Sequence, residues 1–195
     1  MQANLDKICA EYGMDLLNLP KKLYYETNNL VKSSSNYDDF KMKNYDETNW
    51  NDSLKNFLEY GLISPLEYLQ NKINGEKFDK LKEKDHPLSF DSKTFETEIT
   101  KALGILVEDG PFAYFIWLKS QDKEPHQAML IQTARILMAL NLIKDISTDK
   151  NLKEELEKAF LEQISTDLTK TLFVKTILEK MLIYARYKAK AMEHE

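Results

Sequence analysis

The feature that most constrains this chain is an Asp109-Gly110-Pro111 break between two apolar runs, in TFETEITKALGILVEDGPFAYFIWLKSQ at residues 94–121. Before the break Phe95, Ile99, Leu103 and Leu106 recur at helical spacing, which puts them on one face. After it Phe112, Phe115 and Ile116 face one way, Ala113 and Trp117 flank them, and Tyr114 is the member expected at the surface. Gly110 can take the positive φ that ends a helix, and Pro111 suits the first turn of the next. The stretch predicts a helical hairpin that cannot bury its own apolar surface, so the rest of the chain must close over it.

Five Gly and five Pro in 195 residues are too few turn-formers for a β-sandwich or a βαβ array, and apolar periods near 3.6 recur almost throughout. The expected class is all-α: a bundle of about five helices in the C-terminal half, with an N-terminal helical extension. Hydrophobic residues at 43% and charged residues at 30% fit a soluble globular chain. A boundary is expected near residues 85–93, dividing an N-terminal portion at 1–90 from a C-terminal bundle at 91–195.

Along the chain, residues 3–17 and 21–32 read as helices separated by a break at 18–20. The polar run at 33–50 reads as a loop that could hold a partner. Short helices are expected at 53–60 and 64–73, a solvated charged stretch at 76–84 and a turn at 85–87. Pro125 opens a helix to about Lys144, with Met129, Ile136, Leu137, Leu140 and Ile143 as its buried stripe and Gln132 and Arg135 pointing elsewhere. After a turn at 145–150, an acidic amphipathic helix at 152–163 precedes one that starts at 165–167 and runs to about Met192. On the latter, Phe173, Ile177, Met181 and Tyr184 are assigned to the core, and Lys175, Glu179, Arg186 and Lys190 to the opposite side with Leu182 among them.

Catalytic chemistry finds little support. No HExxH, CxxC, GxSxG or phosphate-cradling glycine loop is present. His86 and His126 sit at a turn and a helix start and are expected at the surface. Carboxylate pairs such as Asp38-Asp39 and Glu154-Glu155 diverge by about 100° on a helix, which suits a solvated face better than an acid–base or metal site. Cys9 is the only cysteine, so no internal disulfide or cysteine metal site can form. The chain is therefore expected to be no enzyme and to take no cofactor or metal. A helical hydrolase, the least favoured alternative, would need a divalent ion for which no ligand set is visible.

The opening MQANLDKICAEYG lacks the basic-then-apolar order of a signal peptide, and no window reaches the roughly 18 apolar residues of a membrane span. A cytoplasmic protein without membrane contact is expected. The net charge is −5, yet residues 170–191 hold Lys170, Lys175, Lys180, Arg186, Lys188 and Lys190 against Glu179 alone. Such lysines complement a helix C-terminus and aid solubility, and they also suit phosphate contact. Arg186 is the favoured member, because a guanidinium grips phosphate bidentately and the chain has only two arginines.

Residues 102–121, ALGILVEDGPFAYFIWLKSQ, and 171–192, TLFVKTILEKMLIYARYKAKAM, resemble the small helical subunit of type III, Cmr-type CRISPR effector complexes. The likeness lies in an apolar helix ending near a glycine, an aromatic and leucine-rich helix finishing in Leu118-Lys119-Ser120, and an aliphatic run passing into Tyr184-Ala185-Arg186-Tyr187-Lys188-Ala189. It covers about residues 95–192. It implies a non-catalytic subunit that stacks beside other effector subunits and copies of itself and touches the phosphate backbone of the guide–target RNA duplex. The role carries over to Lys119, Arg186, Lys188 and Lys190, with Arg135 and Lys175 added on charge. The competing expectation is a helical adaptor that binds only protein.

Overall fold

The computed structural model describes residues 2–44, 73, 78–79, 81, 90–121, 123–144, 146 and 152–193. Every regular element among them is helical, so the fold is all-α. In order these are α1 (Gln2–Ser33), α2 (Tyr37–Asn44), α3 (Ser92–Lys119), α4 (Glu124–Ala139), α5 (Leu152–Ala159) and α6 (Leu168–Met192), with a π-helical turn at Phe160–Ile164 after α5. The chain divides into two compact units, Met1–Asn18 with Asp91–Glu195, and Leu19–Phe90.

In the first unit α3 and α6 make the most extensive helix pair. Their caps are local: the Asp91 carboxylate accepts from Thr94 N at 3.0 Å, and the Asp167 carboxylate from Lys170 N at 3.1 Å. They run antiparallel, as two bonds show. Lys175 Nζ donates to the Val107 carbonyl at 2.8 Å, and Arg186 Nε donates to Glu96 Oε1 at 3.1 Å, eleven residues along each helix in opposite directions.

The hairpin break takes the form of a kink inside α3. Gly110 sits at φ 89°, ψ 179°, with helix on both sides. Before the kink Phe95, Ile99, Ala102 and Leu106 are buried, while Leu103 is half-buried. After it the expected face is wrong. Tyr114 is fully buried with Phe115 and Leu118, whereas Phe112 and Ile116 are each 40% exposed. Large apolar residues stand on both sides of this run, so spacing alone does not choose the inner one. Phe115 stacks on Phe160 of the π turn at 5.3 Å between centroids, and burial of each such ring stabilises by roughly 1.5–3 kcal/mol.

α4 is buried along most of its length, including Gln132 and Thr133, so it is a core helix without a dry and a wet side. Gln132 does not point outward as expected. The helix also stops short of Lys144: it ends at Ala139, and Asn141 takes a positive φ of 53° just beyond. On α6 the buried face is Val174, Ile177, Leu178, Met181, Leu182, Ala185 and Ala189. Phe173 is exposed and Tyr184 only half-buried, while Leu182, expected outside, is fully buried. The seam with α3, marked by Lys175 and Arg186, accounts for this rotation, since Leu182 shares their side of the helix.

The first 18 residues pack with this unit, where the sequence reading groups them with 19–90. Gly13 makes that possible. A Cβ there would strike the Met181 carbonyl oxygen and lie 2.9 Å from Tyr184 Cβ. α1 does not break at 18–20, and it carries Pro20 inside it. Leu16 and Leu17 on one side of the unit boundary, and Leu19 and Leu23 on the other, are each buried.

In the second unit Val31, Phe40, Ile73 and Phe78 form a core, with Leu30, Tyr37 and Leu81 packed against it. Tyr37 Oη donates to the Ile73 carbonyl at 3.0 Å. The loop expected at 33–50 is corrected over its first part: Tyr37–Asn44 is helical and Phe40 is buried. Its polar residues act as caps, with Asn36 Oδ1 accepting from Asp39 N at 2.8 Å and the Asp39 carboxylate accepting from Ser35 N at 2.7 Å. Residues 45–50, the helices expected at 53–60 and 64–73 apart from Ile73, most of 76–84, His86 and its turn, the 145–150 turn apart from Ile146, and His194 lie outside the described residues.

Candidate functional site

The six basic side chains assigned to phosphate contact are spread over three helices. Lys119, in the last turn of α3, is ion-paired with Glu157 of α5. Arg135 on α4 lies over the Tyr12 ring at 5.4 Å, donates to Gln132 Oε1 at 3.1 Å and approaches Asp15 at 3.9 Å. Its side chain is only 15% exposed. Burial pushes the Asp15 carboxyl above its ordinary range, against the pull of Arg135. Lys175 is held by the Val107 carbonyl and by Glu179 at 3.8 Å. Arg186 is held by Glu96. Lys188 and Lys190 have no hydrogen-bond or ionic partner among the described residues.

These groups are not equally available to a ligand. A partly exposed pair such as Arg186–Glu96 contributes about 0–1 kcal/mol, so a phosphate could displace the carboxylate at little cost. Arg135, enclosed by an aromatic ring, an amide and a carboxylate, would lose all three. Lys175, Arg186 and Lys190 thus share one side of α6, Lys188 lies about 200° around the helix from Arg186, and Lys119 and Arg135 stand on α3 and α4.

A second cluster escapes sequence reasoning. Glu98, on the inner side of α3, accepts from Lys101 at 3.0 Å and Lys123 at 3.3 Å, and its other oxygen lies 3.1 Å from His126 Nε2. His126 is buried, against the surface role expected of it, and Trp117 meets its ring edge-on at 4.8 Å. Nδ1 has no partner among the described residues, which fits a neutral ring carrying its proton on Nε2. The cluster ties α3 to the start of α4. Its one sequence signal is Glu98, three residues after Phe95 and one before Ile99, a carboxylate set at a core position.

Burial pushes the His126 imidazole below its ordinary value of about 6.5, with Glu98 only partly opposing. The folded ring therefore binds a proton less readily than the unfolded one. Its contribution is complete above about pH 6.5 and falls as pH drops toward the lower folded value. Burial pushes Glu98 up, but hydrogen bonds from Lys101 and Lys123 and the neighbouring His126 outweigh it and hold the carboxyl low. That contribution is present above about pH 4.3 and is lost as pH falls through the lower folded value. Melting temperature should accordingly decline from pH 7 to 5.5 in the native chain, and His126→Gln should flatten that span. Parallel profiles for the two proteins would refute this account.

Tyr114 Oη and Thr133 Oγ1 lie 3.0 Å apart in the core, and burial holds the phenol far above its ordinary pKa. Tyr114→Phe leaves Thr133 short of a partner and should cost about 1–2 kcal/mol in urea unfolding. An unchanged midpoint would show that this bond carries no net stability.

Among the described residues no group of three or more His, Cys, Asp or Glu is placed to hold a metal ion, and no helix is long and apolar enough to cross a membrane. Burial raises the Cys9 thiol pKa. What the surface does present is an apolar row on the outer side of α6. Leu168 (74% exposed), Leu172, Ile183 and Tyr187 (68% exposed) share a face at spacings of four, eleven and four. No protein-family model, curated protein or solved structure matches this chain.

Proposed function

We propose that this chain is a non-catalytic helical subunit of a multi-protein assembly, and that the assembly is an RNA-guided effector of type III CRISPR defence acting in the cytoplasm. The observation that carries the subunit reading is the outer row of α6. A chain with 30% charged residues leaves Leu168, Leu172, Ile183 and Tyr187 uncovered on one helix face, which is where a neighbouring protein would sit. The effector reading rests on the resemblance of residues 102–121 and 171–192.

Under this reading phosphate contact falls first to Lys190, which has no partner among the described residues, and to Arg186 on the same side of α6, which exchanges Glu96 cheaply; Lys188, likewise unpartnered among the described residues, would meet phosphate on another side of the helix. Lys119 and Lys175 stand behind them because each already has a partner, and Arg135 serves the core. Such contacts read the duplex backbone and not its sequence, and they weaken with salt.

A second reading has its own support. Four of the six basic groups are already engaged inside the chain, which favours an adaptor that binds protein alone. Recovery of the tagged chain from its native host separates the two. Short guide RNAs and effector subunits in the eluate support the effector, and Arg186→Ala with Lys188→Ala and Lys190→Ala should then reduce RNA retention about tenfold or more. Protein partners without RNA at any ionic strength leave the adaptor.

A further inference from the structure

We infer that the start of α4 is a proton-operated latch: when His126 takes a proton, the first turn of α4 releases both arms of the kinked α3 while the rest of this unit stays folded. The ring is placed for that role. Glu98, from before the Gly110 kink, meets Nε2 at 3.1 Å, and Trp117, from after it, meets the ring edge-on. One buried side chain thus pins α4 to α3 on either side of the kink.

A positive charge on this ring is costly for reasons of place. His126 stands in the first turn of α4, where the helix dipole already presents its positive end, and the N-cap there is Lys123, a second cation. Protonation also adds an N–H at Nδ1, which is buried and has no hydrogen-bond partner among the described residues. Of the charged groups around it, Glu98 favours the charged ring, Lys101 of α3 draws on the same carboxylate, and Lys123 opposes the charge. The Lys123 carbonyl pulls the same way as Glu98, but least of all. Glu124, two residues before the ring, lies about 200° around the turn. Burial outweighs Glu98, so the closed ring binds a proton less readily than an open one in water.

Release costs little at this end of α4. The starts of α3 and α6 are held by the carboxylates of Asp91 and Asp167, whereas α4 has no side-chain cap. Pro125 has no N–H to lose. The first-turn bonds that break run to the Lys123 carbonyl, from His126 N at 3.0 Å and Gln127 N at 3.2 Å. Opening takes up a proton, so it grows as pH falls below about 6.5 and levels off below the lower closed value.

Hydrogen exchange of the full chain, followed by NMR and corrected for intrinsic rates, tests this. The amides of Ala128, Met129 and Leu130 have their helical acceptors in the first turn. Their protection should fall about five- to tenfold from pH 7.5 to about 5.5, tenfold being roughly the ceiling for one ring whose open pKa is about 6.5. Throughout, they should stay at least about tenfold less protected than Ile177, Leu178 and Met181 of α6, because the turn opens without the fold. His126→Gln keeps a donor for Glu98 but cannot titrate, so the fall should vanish. Protection at residues 128–130 equal to that in α6 overturns the inference, and so does protection that ignores pH in the native chain. Both are read without the variant and decide the matter even if it folds poorly. A fall that persists in a folded His126→Gln assigns the proton elsewhere and overturns it too.

Discussion

Gly13→Ala should lower stability by about 2–3 kcal/mol, whereas the same change at Gly104 should raise it by about 1 kcal/mol. Both glycines are helical, and alanine there ordinarily gains by reducing the freedom of the unfolded chain. Gly104 has nothing within 4 Å of where its Cβ would stand, so the gain appears in full. At Gly13 the added methyl meets the Met181 carbonyl oxygen, Tyr184 Cβ at 2.9 Å and Ala185 N at 3.1 Å. Two of these are main-chain atoms of α6 that no rotamer change can move. α1 must lift away, uncovering part of the apolar surface that includes Cys9, Leu16 and Leu17. Urea midpoints of the native chain and the two variants decide the matter. A neutral or stabilising Gly13→Ala would mean that α1 does not lie on α6 as described.

The second large effect belongs to Gly110. Its φ of 89° with ψ of 179° lies in a region that side-chain-bearing L-residues essentially do not occupy. Nothing stands within 4 Å of an added Cβ, so the whole penalty for Gly110→Ala is conformational. It should amount to about 2–3 kcal/mol, a fall of roughly 5–10 °C in melting temperature for a chain of this size. The damage should localise to what the kink positions: Tyr114 against Thr133, and Phe115 against Phe160. D-alanine at residue 110, introduced by semisynthesis, supplies the control because its mirror-image preferences accept a positive φ. Equal loss from both enantiomers would remove the backbone explanation.

How much of this was legible in the residues varies with how local the cause is. The break at Gly110-Pro111 and the start of the last helix at 165–167 act within a few residues, and the all-α class follows from periodicity. The face of α3 beyond the kink was not legible, since apolar and aromatic residues stand on both its buried side (Tyr114, Phe115, Leu118) and its exposed side (Phe112, Ile116), and spacing does not choose between them. α4 hid its role because it is buried almost all round and so has no contrast between faces to read. The 33–50 stretch looked like a loop because caps and loops draw on the same polar residues. At the candidate site the residue types were visible and their occupancy was not. The carboxylates that hold Lys119 and Arg186 stand 38 and 90 positions away. Nothing in the local spacing of Lys119, Arg135, Lys175 or Arg186 announces a partner at that range.

The ion pair between Asp6 and Lys180 joins residues 174 apart, and Gly13 meets α6 across a similar span. During synthesis the first turns of α1 leave the ribosome long before the helix that covers them. At about 5–20 residues per second the delay is on the order of 10–35 s. Through that interval Cys9, Leu16 and Leu17, all buried in the finished fold, have no α6 to lie against. The nascent chain therefore leaves that surface uncovered until α6 is made. Completion of this unit waits on contacts between residues far apart in sequence, which slow folding.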